Sequence, residues 1–145
     1  MAYATLSDLV ARFGEEELLQ LTDRARVDAI DSTAVDAALA DAGALIDGYL
    51  AQRYALPVSP VPALLTRVAA DLARHALHGN AATDAVRAAH DEALKILRDL
   101  SAGRAALPGA AVAAPGATPG AAGGQVVFSA PERRLSATNI GDFFG

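Results

Sequence analysis

Asp71, His75 and His78 are separated by four and three positions. On a helix this spacing gathers a carboxylate and two imidazoles on one side, a donor set able to hold zinc. A zinc-bound water there would make the chain a small metal-dependent hydrolase. The same residues also arise where a helix ends in solvent, because protonated histidine suits a helix C-terminus. His90 falls on a different helix, at the edge of its apolar stripe. Asp23, Asp28 and Asp31 share a polar stretch that invites a calcium reading, but it lacks the central glycine and closing glutamate of an EF-hand loop. There is no HExxH, nucleophile elbow or phosphate-binding glycine loop. The absence of cysteine excludes thiolate ligands and a cysteine nucleophile. The residues therefore favour a protein that makes and breaks no bond and needs no cofactor.

The elements that would position these side chains read as helices. Thr5 with Asp8 has the form of a capping box, Leu6, Leu9, Val10 and Phe13 share a face, and Gly14 ends it. Glu15, Glu16 and Glu17 open a second short turn, where acids complement the helix N-terminus, and Leu18, Leu19 and Leu21 give it an apolar side. After a loop capped by Asp31 or Ser32, Val35, Leu39, Ala42, Ile46 and Tyr49 mark a helix from about Thr33 to Tyr54, widened by Leu45 and Leu50. Gly43 and Gly48 weaken that helix in isolation and suit close approach of a neighbouring helix or subunit. A helix from about Val61 to His78 turns Leu64, Leu65, Val68, Leu72 and Ala76 inward. Another, capped by Thr83 and running to Ala102, carries Val86, Ala89, Ala93, Ile96, Leu97 and Leu100. Short connections predict an all-α, antiparallel bundle of about four helices.

Between the third and fourth helices, Pro57, Pro60 and Pro62 stop either helix from running through and set a rigid corner, with Tyr49, Tyr54, Leu56 and Val58 available to fill it. The order Ile46, Asp47, Gly48, Tyr49, Leu50, then Arg53, Tyr54, Ala55, Leu56, Pro57, then Val61, Pro62, Leu64, Leu65, then Asp71, Leu72, Ala73, Arg74, Leu77, His78 resembles a family of Mu-like prophage proteins. So does the opening from Met1 to Thr5 with Asp8, Leu9, Val10, Ala11, Arg12, Phe13 and Gly14. That family looks like the head–tail adaptor, or connector, proteins of tailed phages. The resemblance implies a helical subunit of a dodecameric ring beneath the portal protein, in contact with a stopper or tail-terminator protein, through which DNA passes without sequence-specific binding. It also implies an extended C-terminal arm gripping the portal or an adjacent subunit.

The sequence divides into a helical domain over 1–103, an uncharged Ala/Gly/Pro linker over 104–124 after Arg104, and an arm over 125–145. Gln125, Val126, Val127, Phe128 and Ser129 read as one short strand with no second strand in the chain to pair with. In isolation this is a loose tail. With a partner, Val126, Val127 and Phe128 would extend a sheet edge, while Arg133, Arg134, Phe143 and Phe144 would supply contacts and anchors.

Charge sharpens the expectation. Residues 1–50 hold ten acids and three bases, while 51–103 hold five acids and six bases. A tight DNA binder needs clustered lysine and arginine, so a helical DNA-binding module is disfavoured despite Arg53, Arg67 and Arg74. An acid-rich half could instead line a channel that repels phosphate. Alanine dominates the 52% apolar content, so each helix buries little area and the subunit is expected to be completed by neighbours, through Gly43, Gly48, Tyr49 and Tyr54. No stretch has the length of a membrane span and no signal peptide opens the chain. The expected locations are host cytoplasm during assembly and then the virion.

Overall fold

The computed structural model describes residues 2–113, all within the first compact unit, Met1–Pro115. Among them are five α-helices: α1 (Leu6–Phe13), α2 (Glu15–Thr22), α3 (Ser32–Leu50), α4 (Ala63–His78) and α5 (Asp84–Ser101). A single 3-10 turn, Gly79–Ala81, joins the last two. The described residues are all-α, as their periodicity predicts.

The starts of the helices follow from their caps. The Thr5 hydroxyl accepts from the Asp8 N–H at 3.3 Å, and the Asp8 carboxylate accepts from the Thr5 N–H at 2.8 Å, a reciprocal capping box. Asp31 accepts from the N–H groups of Thr33 and Ala34, and Thr83 from that of Val86. Between α1 and α2 the chain reverses at Gly14, whose φ of 91° only glycine adopts cheaply.

Helix α4 is the hub: it packs against α3, α5, α1 and α2. Leu65, Val68, Ala69, Ala70, Leu72 and Ala73 are buried along it. All but Ala70 share one core cluster with Val35, Leu39, Ala42, Ile46 and Leu50 of α3, Ala93, Leu97 and Leu100 of α5, and Leu9 and Leu18 of the two short helices. Every buried side-chain nitrogen and oxygen among the described residues has a partner, as a native interior requires.

Three expectations shift. Helix α3 stops at Leu50 rather than Tyr54, because residues 53–55 turn into extended backbone and pair with residues 111–113. The Ala55 N–H donates to the Ala111 carbonyl at 2.9 Å, and the Ala113 N–H to the Arg53 carbonyl at 2.8 Å. Leu45 and Ala76, expected inside, are exposed: α3 and α4 are covered over narrower arcs than their apolar positions suggest. Finally, residues 105–113, read as linker, run back against the proline corner, where Leu107 is only 4% exposed.

Candidate functional site

The titratable residues singled out above do not converge. His78 turns to Glu17, its Nε2 lying 3.4 Å from the Glu17 carboxylate. Arg74 grips the same carboxylate with two hydrogen bonds, at 2.6 and 3.1 Å, and its guanidinium sits 4.5 Å from the centre of the Phe13 ring. This fork-to-fork pair with a cation–π backing fastens α2 and α1 onto α4. Burial pushes the Glu17 carboxyl up, but the hydrogen bonds and charges of Arg74 and His78 outweigh it and hold the group below the usual carboxylate range.

His75 instead stacks on His90 of α5 with ring centres 4.0 Å apart. Desolvation, helped by the neighbouring His90, lowers its pKa from the ordinary histidine value. Asp71 lies 3.8 Å from Arg67 of its own helix, and burial raises its carboxyl despite that arginine, Arg12 and Arg74. One carboxylate and two imidazoles on a common helix are thus engaged in three separate contacts. Among the described residues no three His, Asp or Glu side chains are placed to share an ion.

The corner is a structural device. Pro57 and Pro60 both follow cis peptide bonds, and Pro62 caps α4 from an extended conformation. Tyr54, 3% exposed, accepts a hydrogen bond from the Leu107 N–H at 3.2 Å through its phenol oxygen. Gly43 is buried within the subunit. Of the residues expected at subunit contacts, only Gly48 and Tyr49 keep surface, and nothing within 4 Å of Gly48 would meet an added Cβ. Val126, Val127, Phe128, Arg133, Arg134, Phe143 and Phe144 lie outside the described residues.

Two surface features escaped the sequence reading. The first is a groove of about 490 Å³ between the N-terminal segment and α3. Ala4, Leu39, Ala40 and Ala44 make its walls, and Asp36 and Asp47 are its only charged residues. Tyr3, itself buried, donates its phenol proton to Asp47; burial and that carboxylate push the phenol's pKa up.

The second feature is the loop between α2 and α3. Asp23 accepts the N–H groups of both Val27 and Asp28 at 2.9 Å. Arg26 and Asp28 sit in left-handed backbone, with φ of 54° and 58°, a conformation that costs a residue with a side chain about 1–2 kcal/mol. Between them stands Val27, 67% exposed. Its signal in the sequence was a valine flanked by Arg26 and Asp28 in a polar stretch; no pattern rule separates that from an ordinary loop.

Among the described residues no helix is long and apolar enough to cross a membrane. A family model described as "Bacteriophage Mu, Gp36" matches residues 3–127. The chain is 34% identical over 105 residues to "Mu-like prophage FluMu protein gp36" of Haemophilus influenzae, covering 72% of this chain and 74% of that protein. It is 38% identical, over the same number of residues and the same shares of each chain, to "Gene product J" of Escherichia phage Mu. Neither name is that of an enzyme. With a match running from the first helix past the end of the described body, the chain belongs to the bacteriophage Mu Gp36 family.

Proposed function

We propose that the chain is a structural virion protein, a head–tail adaptor subunit that closes into a ring beneath the portal and conducts DNA without reading it. Membership in a phage Mu family, carried by a helical body with no converging catalytic or metal-binding set among its described residues, is the observation that supports this reading. The charged pairs of that body fit the same role. Glu17, Arg74 and His78 join helices to one another, and Asp99 with Arg104 ties off the end of α5. Acids dominate the first half of the chain, which suits a wall that duplex DNA slides past.

In this reading the helical body supplies the ring, and the portion after Ala113 reaches the portal or an adjacent subunit. A stopper or tail-terminator protein would follow below. Many weak contacts repeated around a ring give the assembly its hold.

Native mass spectrometry tests the proposal directly. The chain mixed with the portal protein of its own phage is expected to give a complex with many adaptor copies on one portal ring, and removing residues 114–145 is expected to abolish it. A chain that stays monomeric beside its portal, or binds unchanged without those residues, would overturn the adaptor reading.

A further inference from the structure

The end of the body where α3 and α5 finish carries positive charge that the fold leaves unanswered. Between residues 51 and 113, Arg67, Arg74, Arg87 and Arg104 each pair with an acid. The other bases of that span, Arg53, Lys95 and Arg98, are exposed and have no side-chain hydrogen bond or ion pair among the described residues. Arg98 stands in the last turn of α5, with Lys95 three positions before it on the same side of the helix. An added Cβ at Gly103, just past α5, would collide with the Arg53 guanidinium, so that cation reaches from the corner to the same end. Asp99, the acid of that turn, is already taken by Arg104 at 2.8 Å.

The same end has an open backbone edge. The hydrogen bonds from the Ala55 N–H to Ala111 and from the Ala113 N–H to Arg53 bracket Val112, which lies opposite Tyr54. In that antiparallel pattern residue 112 turns its own N–H and C=O away from residues 53–55. Neither group has a partner among the described residues. The Val112 side chain is 59% exposed, and Leu56, just past the bridge, is 38% exposed. An open edge with apolar side chains beside it is a template for another extended chain.

We propose that this end receives an extended acidic segment of another protein. The segment pairs with the backbone of Val112, covers Val112 and Leu56, and sets its carboxylates against Arg53, Lys95 and Arg98. A nucleic acid would answer the cations but has no amide edge to pair. The chain's own residues 114–145 hold Glu132 and Asp142 against Arg133 and Arg134, so their side chains bring no net negative charge. The acids of a second copy's described body stand on helices, on the Asp31 cap, or in the loop whose tip Asp23 already binds, and helical backbone has no edge to offer. The site needs a partner strand but no ring, so it stands apart from the adaptor reading.

The amide resonances of the full, isotope-labelled chain report the contact as probes are added. The probes are a short peptide alternating glutamate with valine, its lysine counterpart, the glutamate peptide methylated on alternate backbone nitrogens, and a DNA duplex. The glutamate peptide is expected to move the Val112 and Gly103 amides saturably, while the lysine peptide leaves them still. Backbone methylation should weaken binding about tenfold, the order of a hydrogen bond or two. Lys95→Glu with Arg98→Glu should also weaken it about tenfold, and both sites are exposed enough to leave the fold intact. Arg87→Glu lies about 16 Å back along α5, beyond a Debye length of about 8 Å, and should change it less than about twofold.

No movement with the glutamate peptide overturns the proposal. Equal binding of the methylated peptide removes the edge from it, and equal binding of the lysine peptide removes the charge; either result overturns it. Saturable movement of the same amides by DNA, stronger than by the peptide, would make the patch a phosphate site instead. Binding that appears only after residues 114–145 are cut away would give the edge to the chain's own tail. None of these results alters the outcome of the portal experiment.

Discussion

Glu17 shows how a residue that suggests one role by its neighbours in sequence acquires another in space. Among three consecutive glutamates at a helix start it looks like a solvated first turn, yet it receives Arg74 and His78 from α4. Both Glu17 and Arg74 are only about a quarter exposed, at 27% and 25%. Arg74→Ala should therefore cost about 1–3 kcal/mol, the range for hydrogen bonds to charged groups, and free Phe13 and α2 to loosen. Two groups with lowered pKa make stability fall as pH falls, while Asp71, raised by burial, works in the opposite direction in the carboxylate range. The His75 pKa is lowered on folding, so protonation favours the unfolded chain and stability begins to fall as pH drops through about 6.5. Glu17 is also lowered, so its contribution is whole above about pH 4.3 and is lost as pH falls through its folded value. Urea denaturation between pH 8 and 3 is expected to show both declines, the lower one missing in Glu17→Gln.

At the scale of elements, the corner is held by the segment that returns to it as well as by its prolines. Tyr54 leaves the helical path to enter the core, and its phenol oxygen takes the otherwise buried Leu107 N–H. Tyr54→Phe removes that acceptor while keeping the ring, so a loss of about 1–2 kcal/mol is expected. Faster hydrogen exchange at the Leu107 amide, with α4 amides unchanged, would identify the cause. The capping signals, by contrast, needed no tertiary help: Thr5, Asp31 and Thr83 cap through their own side chains and bond to N–H groups only two or three residues on. The extents of the buried stripes were less legible. Leu45 has the periodicity of the α3 core face but is 40% exposed, since what covers a face is decided by the neighbour and not by the helix.

For the molecule as a whole, the boundary of the helical body is the consequential result. Composition places it at residue 103, where charge and periodicity end, but the residues through Ala113 pack on the corner and bury Leu107. A chain cut after Ala113 is expected to unfold at the same urea concentration as the full chain. One cut after Gly103 should lose about 2–4 kcal/mol, from removing the buried Leu107 and leaving the Tyr54 phenol oxygen without its donor. Equal midpoints for the two would show that the returning segment contributes nothing.

The sequence by itself determined the helices, their caps, the proline break and the family resemblance, because each is written in neighbours a few positions apart. Only the tertiary structure decided that Asp71, His75 and His78 take three different partners. It alone revealed the groove beside α3 and the exposed Val27. Those depend on which helix lies across from which, and side chains distant in sequence meet or miss according to packing that no local spacing encodes.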